Sequence, residues 1–203
     1  MIDLPNPRSV KGKQLTQVLV TRKSVRAFSG KPLFLYQVSY LLWACQGKTD
    51  VSSERSSRRT VPSAGATYPL EVFAVCGQGS IEGLDGGVYR YLTGAHALEL
   101  RSSEDVRERL ADACFSQRFI AEAPASFVIV ADYAQTSGHY GERGVRYVHI
   151  EVGHAGQNVY LACEALGLAT VAVGAFSDEA VARTLDLSMR NDPLYVMPVG
   201  YVR

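Results

Sequence analysis

The chain has 203 residues, 47% hydrophobic and 20% charged, and its 21 Lys plus Arg against 20 Asp plus Glu leave a formal net charge of +1. That length favours one domain over residues 1–203, the composition excludes a disordered chain, and the near-neutral balance excludes a global field for nucleic acid or anionic lipid. No apolar run reaches the ~20 residues of a membrane span, the N-terminus lacks a signal-peptide core, and the four scattered cysteines form neither a zinc site nor a disulfide framework, so a cytoplasmic protein is expected.

After a polar arm, KQLTQVLVTR places Leu15, Val18 and Leu19 at helical spacing, and an extended stretch follows through Ser24 and Phe28. LFLYQVSYLLWACQG predicts an amphipathic helix with Leu35, Val38, Leu41, Leu42 and Cys45 on its core face, Gly47 as its C-terminal cap and Trp43 in the core. Residues 48–60 are polar and serine-rich and read as an exposed loop that orders on binding. EVFAVCG, GVYRYL and ALELR are three short β-type runs separated by Gly-rich turns, hence an antiparallel element. SEDVRERLADAC reads as a helix capped by Ser103, and SFVIVADY as a buried strand.

The longest helix is expected over VRYVHIEVGHAGQNVYLACEALGL, whose small and apolar residues on nearly all sides suit the centre of the molecule or a subunit interface. TVAVGAF follows as a strand ending in a turn, SDEAVARTLDL as a capped helix and PLYVMPVGYVR as a terminal strand. Strands and helices mix without βαβ alternation, so the fold class is α+β: a central mixed or antiparallel sheet flanked by helices.

Four short motifs carry chemistry. In an extended Arg22-Lys23-Ser24-Val25-Arg26, alternate side chains share a face, so Arg22, Ser24 and Arg26 present two guanidinium forks and a hydroxyl, a cradle for a phosphate and its neighbouring polyol; a solvated basic turn reads equally well. Pro62-Ser63-Ala64-Gly65-Ala66-Thr67-Tyr68-Pro69 is a rigid small-residue segment that admits a planar ring close to the backbone, or a plain connecting loop. Gly174-Ala175-Phe176 closes a strand with small residues able to offer backbone donors, and Arg203 is useful only if the tail is tied down. Other signals are weaker. Gly77-x-Gly79 is followed by a turn and strand instead of the helix a dinucleotide loop requires; Glu151-x-x-His154 is half of a di-iron motif with no second copy, so His154 is expected to be a buried, hydrogen-bonded histidine.

In this order along the chain, the segments TRKSVRAF, LLWACQGKT, TVPSAGATYPLEVF, GVYRY, YGERGVRYVHIEVGHAGQNVYLACEALGL, VGAF and PLYVMPVGY resemble the nitroreductase superfamily, and within it the SagB-type azoline dehydrogenase branch. The resemblance implies flavin mononucleotide (FMN) at the interface of a homodimer. Arg22, Lys23, Ser24, Arg26 and Arg203 match the family's phosphate and ribityl ligands; Pro62, Ser63, Ala64 and Gly65 fall in the segment along the flavin, reached from the other subunit; Gly174 and Ala175 match the backbone near the reactive ring edge. Two departures stand out: Ala66 replaces the Asn of many nitroreductases, and His139-Tyr140 replaces a Lys-Tyr pair of peptide azoline dehydrogenases. His139 and Tyr140 are therefore the candidate proton-transfer residues, His139 being equally readable as a surface loop residue. The implied activity is hydride transfer between flavin and a small organic or peptide-derived substrate such as an azoline; the alternatives are an NAD(P)H-dependent nitroreductase or quinone reductase and a flavin-binding module without turnover. No nucleic acid, membrane or metal is expected to take part.

Overall fold

The computed structural model describes residues 1–50 and 58–203, and within them a sheet lies between two helical layers. The first elements are β1 (Ile2–Asp3), α1 (Leu15–Thr21), β2 (Leu33–Phe34) and α2 (Leu35–Gln46). A second run holds β3 (Leu70–Cys76), β4 (Ile81–Glu82), β5 (Gly87–Leu92), β6 (Ala97–Ser102), α3 (Arg107–Ala113), α4 (Phe119–Glu122) and β7 (Ala125–Ala131). Then come α5 (Tyr133–Tyr140), α6 (Arg143–Ala165), β8 (Ala169–Thr170), α7 (Asp178–Leu185) and β9 (Asp192–Gly200). The main sheet has seven strands in the order β1-β6-β5-β3-β7-β9-β8, each pair antiparallel; β2 and β4 form a small parallel pair apart from it. The expectation of an α+β fold, an antiparallel sheet flanked by helices, is met.

Period-two alternation in the central strands sorts the core. Leu70, Val72, Ala74 and Cys76 of β3, with Phe127 and Ile129 of β7, face one layer, where they meet Val38, Leu41, Leu42 and Cys45 of α2 and Val148, Val152, Ala155 and Val159 of α6. Phe73 and Val75, with Val128 and Val130, face the other layer and meet Leu110 of α3 and Val181 and Leu185 of α7. All seven residues of β7 are buried because β7 is covered on both faces. The four cysteines are free and buried; burial pushes Cys45, Cys76 and Cys114 up to about 12 and Cys163 higher still, which keeps them as inert thiols.

Several local expectations need correction. Only Val18 of α1 is buried, while Leu15 and Leu19 are 63% and 56% exposed, so the helix turns its apolar stripe outward. Gly47 is the C-terminal cap of α2 as expected, its N–H donating to Trp43 O at 2.7 Å, but its φ is an ordinary −70° and it is contact that requires glycine: a Cβ there would stand 2.1 Å from Trp43 Cδ1. Trp43 itself is half-buried, its indole N–H donating to Lys48 O at 3.0 Å. Ser103 does not cap α3; the helix begins after Val106, and Asp105 accepts from the Arg107 N–H at 3.2 Å. The strand over TVAVGAF shrinks to Ala169–Thr170 plus a bridge from Val173 to Val196. Ser177 caps α7 as expected, accepting from Ala180 N–H at 3.3 Å. Of the loop over 48–60, residues 51–57 lie outside the described residues; its ends are tied by a Lys48–Arg59 bridge.

Candidate functional site

Arg22 closes α1, its N–H donating to Val18 O at 3.0 Å, and the chain then extends because it is gripped on both sides. Val25 N–H donates to Thr170 O at 3.1 Å, Phe28 pairs with Val202, and Arg203 N–H donates to Ala27 O at 3.2 Å. The C-terminal tail is therefore tied to the basic segment. Arg22 lies over the Tyr160 ring, 5.2 Å from its centroid, and Ser24 Oγ is 2.8 Å from the Tyr160 hydroxyl, which also accepts from Ala172 N–H at 2.8 Å. Lys23 and Arg26 are exposed, and Arg203 pairs with Glu122 at 3.1 Å. Gly174 and Ala175 leave this cluster two residues beyond Ala172, both exposed, Ala175 O accepting from Gln117 Nε2 at 3.1 Å.

A second cluster forms around the turn before β3. Gly65, Ala66 and Tyr68 have φ of +58°, +54° and +47°, and the turn is held by Ser63: its carbonyl accepts from Ala66 N–H at 3.1 Å and its hydroxyl from Tyr68 N–H at 2.9 Å. Thr67 Oγ1 reaches Thr136 Oγ1 of α5 at 2.8 Å, and this contact brings the C-terminal end of α5 against the turn. A Cβ on Gly65 would lie 2.6 Å from the Tyr140 hydroxyl, so the phenol sits directly on that residue. The Tyr140 ring meets His139 and Tyr147 edge-on, at 4.5 and 5.1 Å between centroids. His139 is exposed in the last turn of α5 and is not on a loop; His154 is exposed and not buried.

Glu151, which the sequence offered only as half of a metal motif, is the interior residue here. It is 3% exposed on α6, and burial raises its carboxyl above the usual range against the lowering pull of the Ser63 hydroxyl and the Arg59 guanidinium. Arg59 donates to Gln46 Oε1 at 2.8 Å and lies 4.5 Å from the Tyr68 ring centroid, and burial lowers its own pKa. Among the described residues no group of three or more His, Cys, Asp or Glu is placed to hold a metal ion, and no helix is long and apolar enough to cross a membrane.

The structure thus sets Arg22 and Ser24 against Tyr160, with Lys23 and Arg26 exposed beside them in the chain and Arg203 tied to the same segment through Ala27, while Gly174 and Ala175 lie just beyond this cluster; separately, Gly65, His139 and Tyr140 meet with Tyr147, and Ser63, between Pro62 and Ala64 in the chain, neighbours Glu151. Tyr147 and Tyr160 are both on α6, thirteen residues or about 20 Å of helix apart. Tyr160 and Glu151 were hidden in the sequence because each falls among the small and apolar residues that mark α6 as core. One face of α6 is exposed along its length, through Val145, His149, Ile150, Gly153 and Gln157; Val145 and Ile150 are 42% and 50% exposed, and nothing lies within 4 Å of a Cβ built on Gly153.

An antiparallel sheet between helical layers, with a basic arm and a small-residue turn anchored on one long helix, is the architecture of nitroreductase-fold oxidoreductases: a nitroreductase-family structure from Ralstonia eutropha superposes with a TM-score of 0.83 at 28% identity, covering 100% of this chain and 89% of that one. The nitroreductase family model matches residues 19–201, and the chain belongs to that family. It is an oxidoreductase by family. The nitroreductase-family protein MJ1384 of Methanocaldococcus jannaschii is 45% identical over 199 residues, 98% of this chain and 95% of that one. The microcin B17-processing protein McbC of Escherichia coli is 31% identical over 152 residues, 72% of this chain and 56% of McbC, and the microcin synthetase McbBCD complex matches with a TM-score of 0.78 at 26% identity over 96% of this chain and 75% of that one. The resemblance to the SagB-type branch stands on such relatives.

Proposed function

We propose that the protein binds FMN as a homodimer and moves hydride between the flavin and a small organic or peptide-derived substrate, an azoline being the leading class. The observation that carries this reading is the separation of the two clusters along α6: a cationic arm and a ring-accepting turn are both present, yet about 20 Å of helix keeps them apart in one chain. A second copy packed on the exposed face of α6, with the outward apolar stripe of α1 beside it, would bring the turn of one subunit to the arm of the other. Gly153 allows close approach there.

The residues fit the cofactor. Arg22, Lys23, Ser24, Arg26 and Arg203 offer charge-assisted donors to a phosphate and hydroxyl contacts to the ribityl chain. Pro62, Ser63, Ala64 and Gly65 present a surface without bulky side chains, and a side chain on Gly174 would meet nothing nearer than Tyr195 Cε1 at 3.9 Å, so packing within the chain does not demand glycine and approach of a ligand accounts for it. Bound flavin supplies the two-electron chemistry, and the protein supplies position, electrostatics and a proton route. Tyr140, whose hydroxyl rests on Gly65, is the group placed to hold or move a proton at that surface, and His139, edge-on to its ring, connects it to solvent. The relation to McbC, named for processing microcin B17, favours a peptide-derived substrate.

The test is an absorbance spectrum of the purified protein, then anaerobic addition of an azoline peptide and, separately, of NADH and NADPH. Bleaching by the azoline with a slow response to pyridine nucleotides is expected. Rapid bleaching by NAD(P)H alone would make it a reductase, and a protein unable to take up FMN would refute the reading.

A further inference from the structure

Buried ionic groups are weak contributors to stability, and a well-packed apolar residue of similar volume usually serves the fold as well or better. Glu151 is such a group: its α6 neighbours Val148, Val152 and Ala155 are apolar core, yet the carboxylate is 3% exposed and its Oε1 has no hydrogen-bond partner among the described residues. Gln46, 1% exposed, likewise leaves Nε2 without a partner, its Oε1 being taken by Arg59. This polar group underlies the 62–68 turn, where two non-glycine residues, Ala66 and Tyr68, are held in the left-handed region. Backbone of that kind persists only where its surroundings over-determine it, and it gathers at functional sites. Ser63 is the connection: its hydroxyl oxygen accepts from Tyr68 N–H at 2.9 Å, so its own proton remains available to the Glu151 carboxylate beside it.

Resting on the FMN reading above, we propose that Glu151 is a positioning residue for the flavin-lining turn, fixing the segment through Ser63 and setting, with Arg59, the charge against which the flavin is reduced. A carboxylate behind that segment disfavours added negative charge on the ring, whereas a protonated one does not. The groups facing it are Ser63 and Arg59; Arg59 in turn faces Tyr68 of the turn, Gln46 of α2, Tyr91 of β5 and Glu71 of β3, and Glu71 is held by Arg90 at 2.9 Å.

The experiment compares wild type, Glu151→Gln and Ser63→Ala as full chains loaded with FMN, measuring flavin affinity, thermal midpoint and midpoint potential from pH 5 to 9 by dye equilibration. Glu151→Gln is expected to favour reduction about tenfold at the alkaline end, about 30 mV for a two-electron couple, and to converge on wild type at the acid end. Ser63→Ala is expected to weaken FMN at least threefold and to shift the flavin spectrum with little change in thermal midpoint. Wild-type potential and affinity in both variants at every pH would overturn the proposal, as would a lowered thermal midpoint with potential and spectrum unmoved, which leaves a purely structural role. Should Glu151→Gln fail to fold, Ser63→Ala decides alone. A wild type that takes up no FMN overturns the function itself, an outcome seen before any variant is compared.

Discussion

Replacing Gly65 with Ala tests the contact that puts Tyr140 on the turn proposed to line the flavin. An L residue at φ +58° costs ~1–2 kcal/mol in backbone strain. The new methyl would also lie 2.6 Å from the Tyr140 hydroxyl and 3.3 Å from two ring carbons, so the phenol must swing away from its edge-on contacts with His139 and Tyr147. Such contacts are worth ~0.5–1.5 kcal/mol each, so with the strain the single variant should lose about 2–5 kcal/mol. Tyr140→Phe alone should be nearly neutral for stability, because no hydrogen bond of that hydroxyl contributes to the packing described above. In the double variant the 2.6 Å contact is gone while the 3.3 Å approaches are tolerable, so only the strain remains and the two changes couple favourably by ~1–3 kcal/mol, the worth of the two ring contacts kept. Urea denaturation at fixed protein concentration measures all four corners, the fixed concentration being needed because dimerisation would shift every midpoint. Additivity within ~0.5 kcal/mol would refute the contact.

Arg22→Ala should weaken FMN about 10- to 150-fold, the worth of one charge-assisted hydrogen bond, and full flavin retention in both this variant and Arg203→Ala would remove the phosphate assignment. Glu122→Gln should tighten FMN by up to ~5-fold in a fluorescence titration, because it releases Arg203 from an exposed ion pair worth at most ~1 kcal/mol; weaker binding would contradict that. Ala66→Asn should raise the thermal midpoint, since Asn tolerates φ +54° better than Ala by ~0.5 kcal/mol, and should tighten flavin by restoring the family's usual side chain. Glu151 also predicts a pH trend. Its folded pKa is raised, so the stability it contributes is full below the ordinary value of 4.5 and is lost as pH rises through the raised one. Melting curves should therefore show wild type losing stability relative to Glu151→Gln as pH increases from 4.5, and a widening wild-type advantage would mean that Ser63 and Arg59 outweigh burial.

The layered core was legible because period-two alternation in β3 and β7 and helical spacing in α2 are both set by burial, which dominates there. On α1 the spacing marked the helix that forms over Leu15–Thr21, yet Leu15 and Leu19 face outward. Spacing reports that a stripe is apolar and says nothing of which surface covers it. On α6 the difficulty is sharper. Its residues are small or apolar on most sides, a pattern that suits the centre of the molecule and a subunit interface alike, and the fold buries Val148, Val152, Ala155 and Val159 while it exposes Val145, Ile150 and Gly153. Within that background a buried Glu151 looks like any solvent-facing acid, and Tyr160 looks like packing; only the approach of Ser63 and Ser24, from residues 88 and 136 positions away, gives each its role. The candidate site is thus composed of local motifs that a sequence can display and of long-range partners on one helix that it cannot. The proposed homodimer would account for the exposed Val145 and Ile150 on that helix: a second copy covering them would supply hydrophobic gain, and Gly153, between His149 and Gln157, would let the backbones approach closely enough for one subunit's turn to reach the other's arginines.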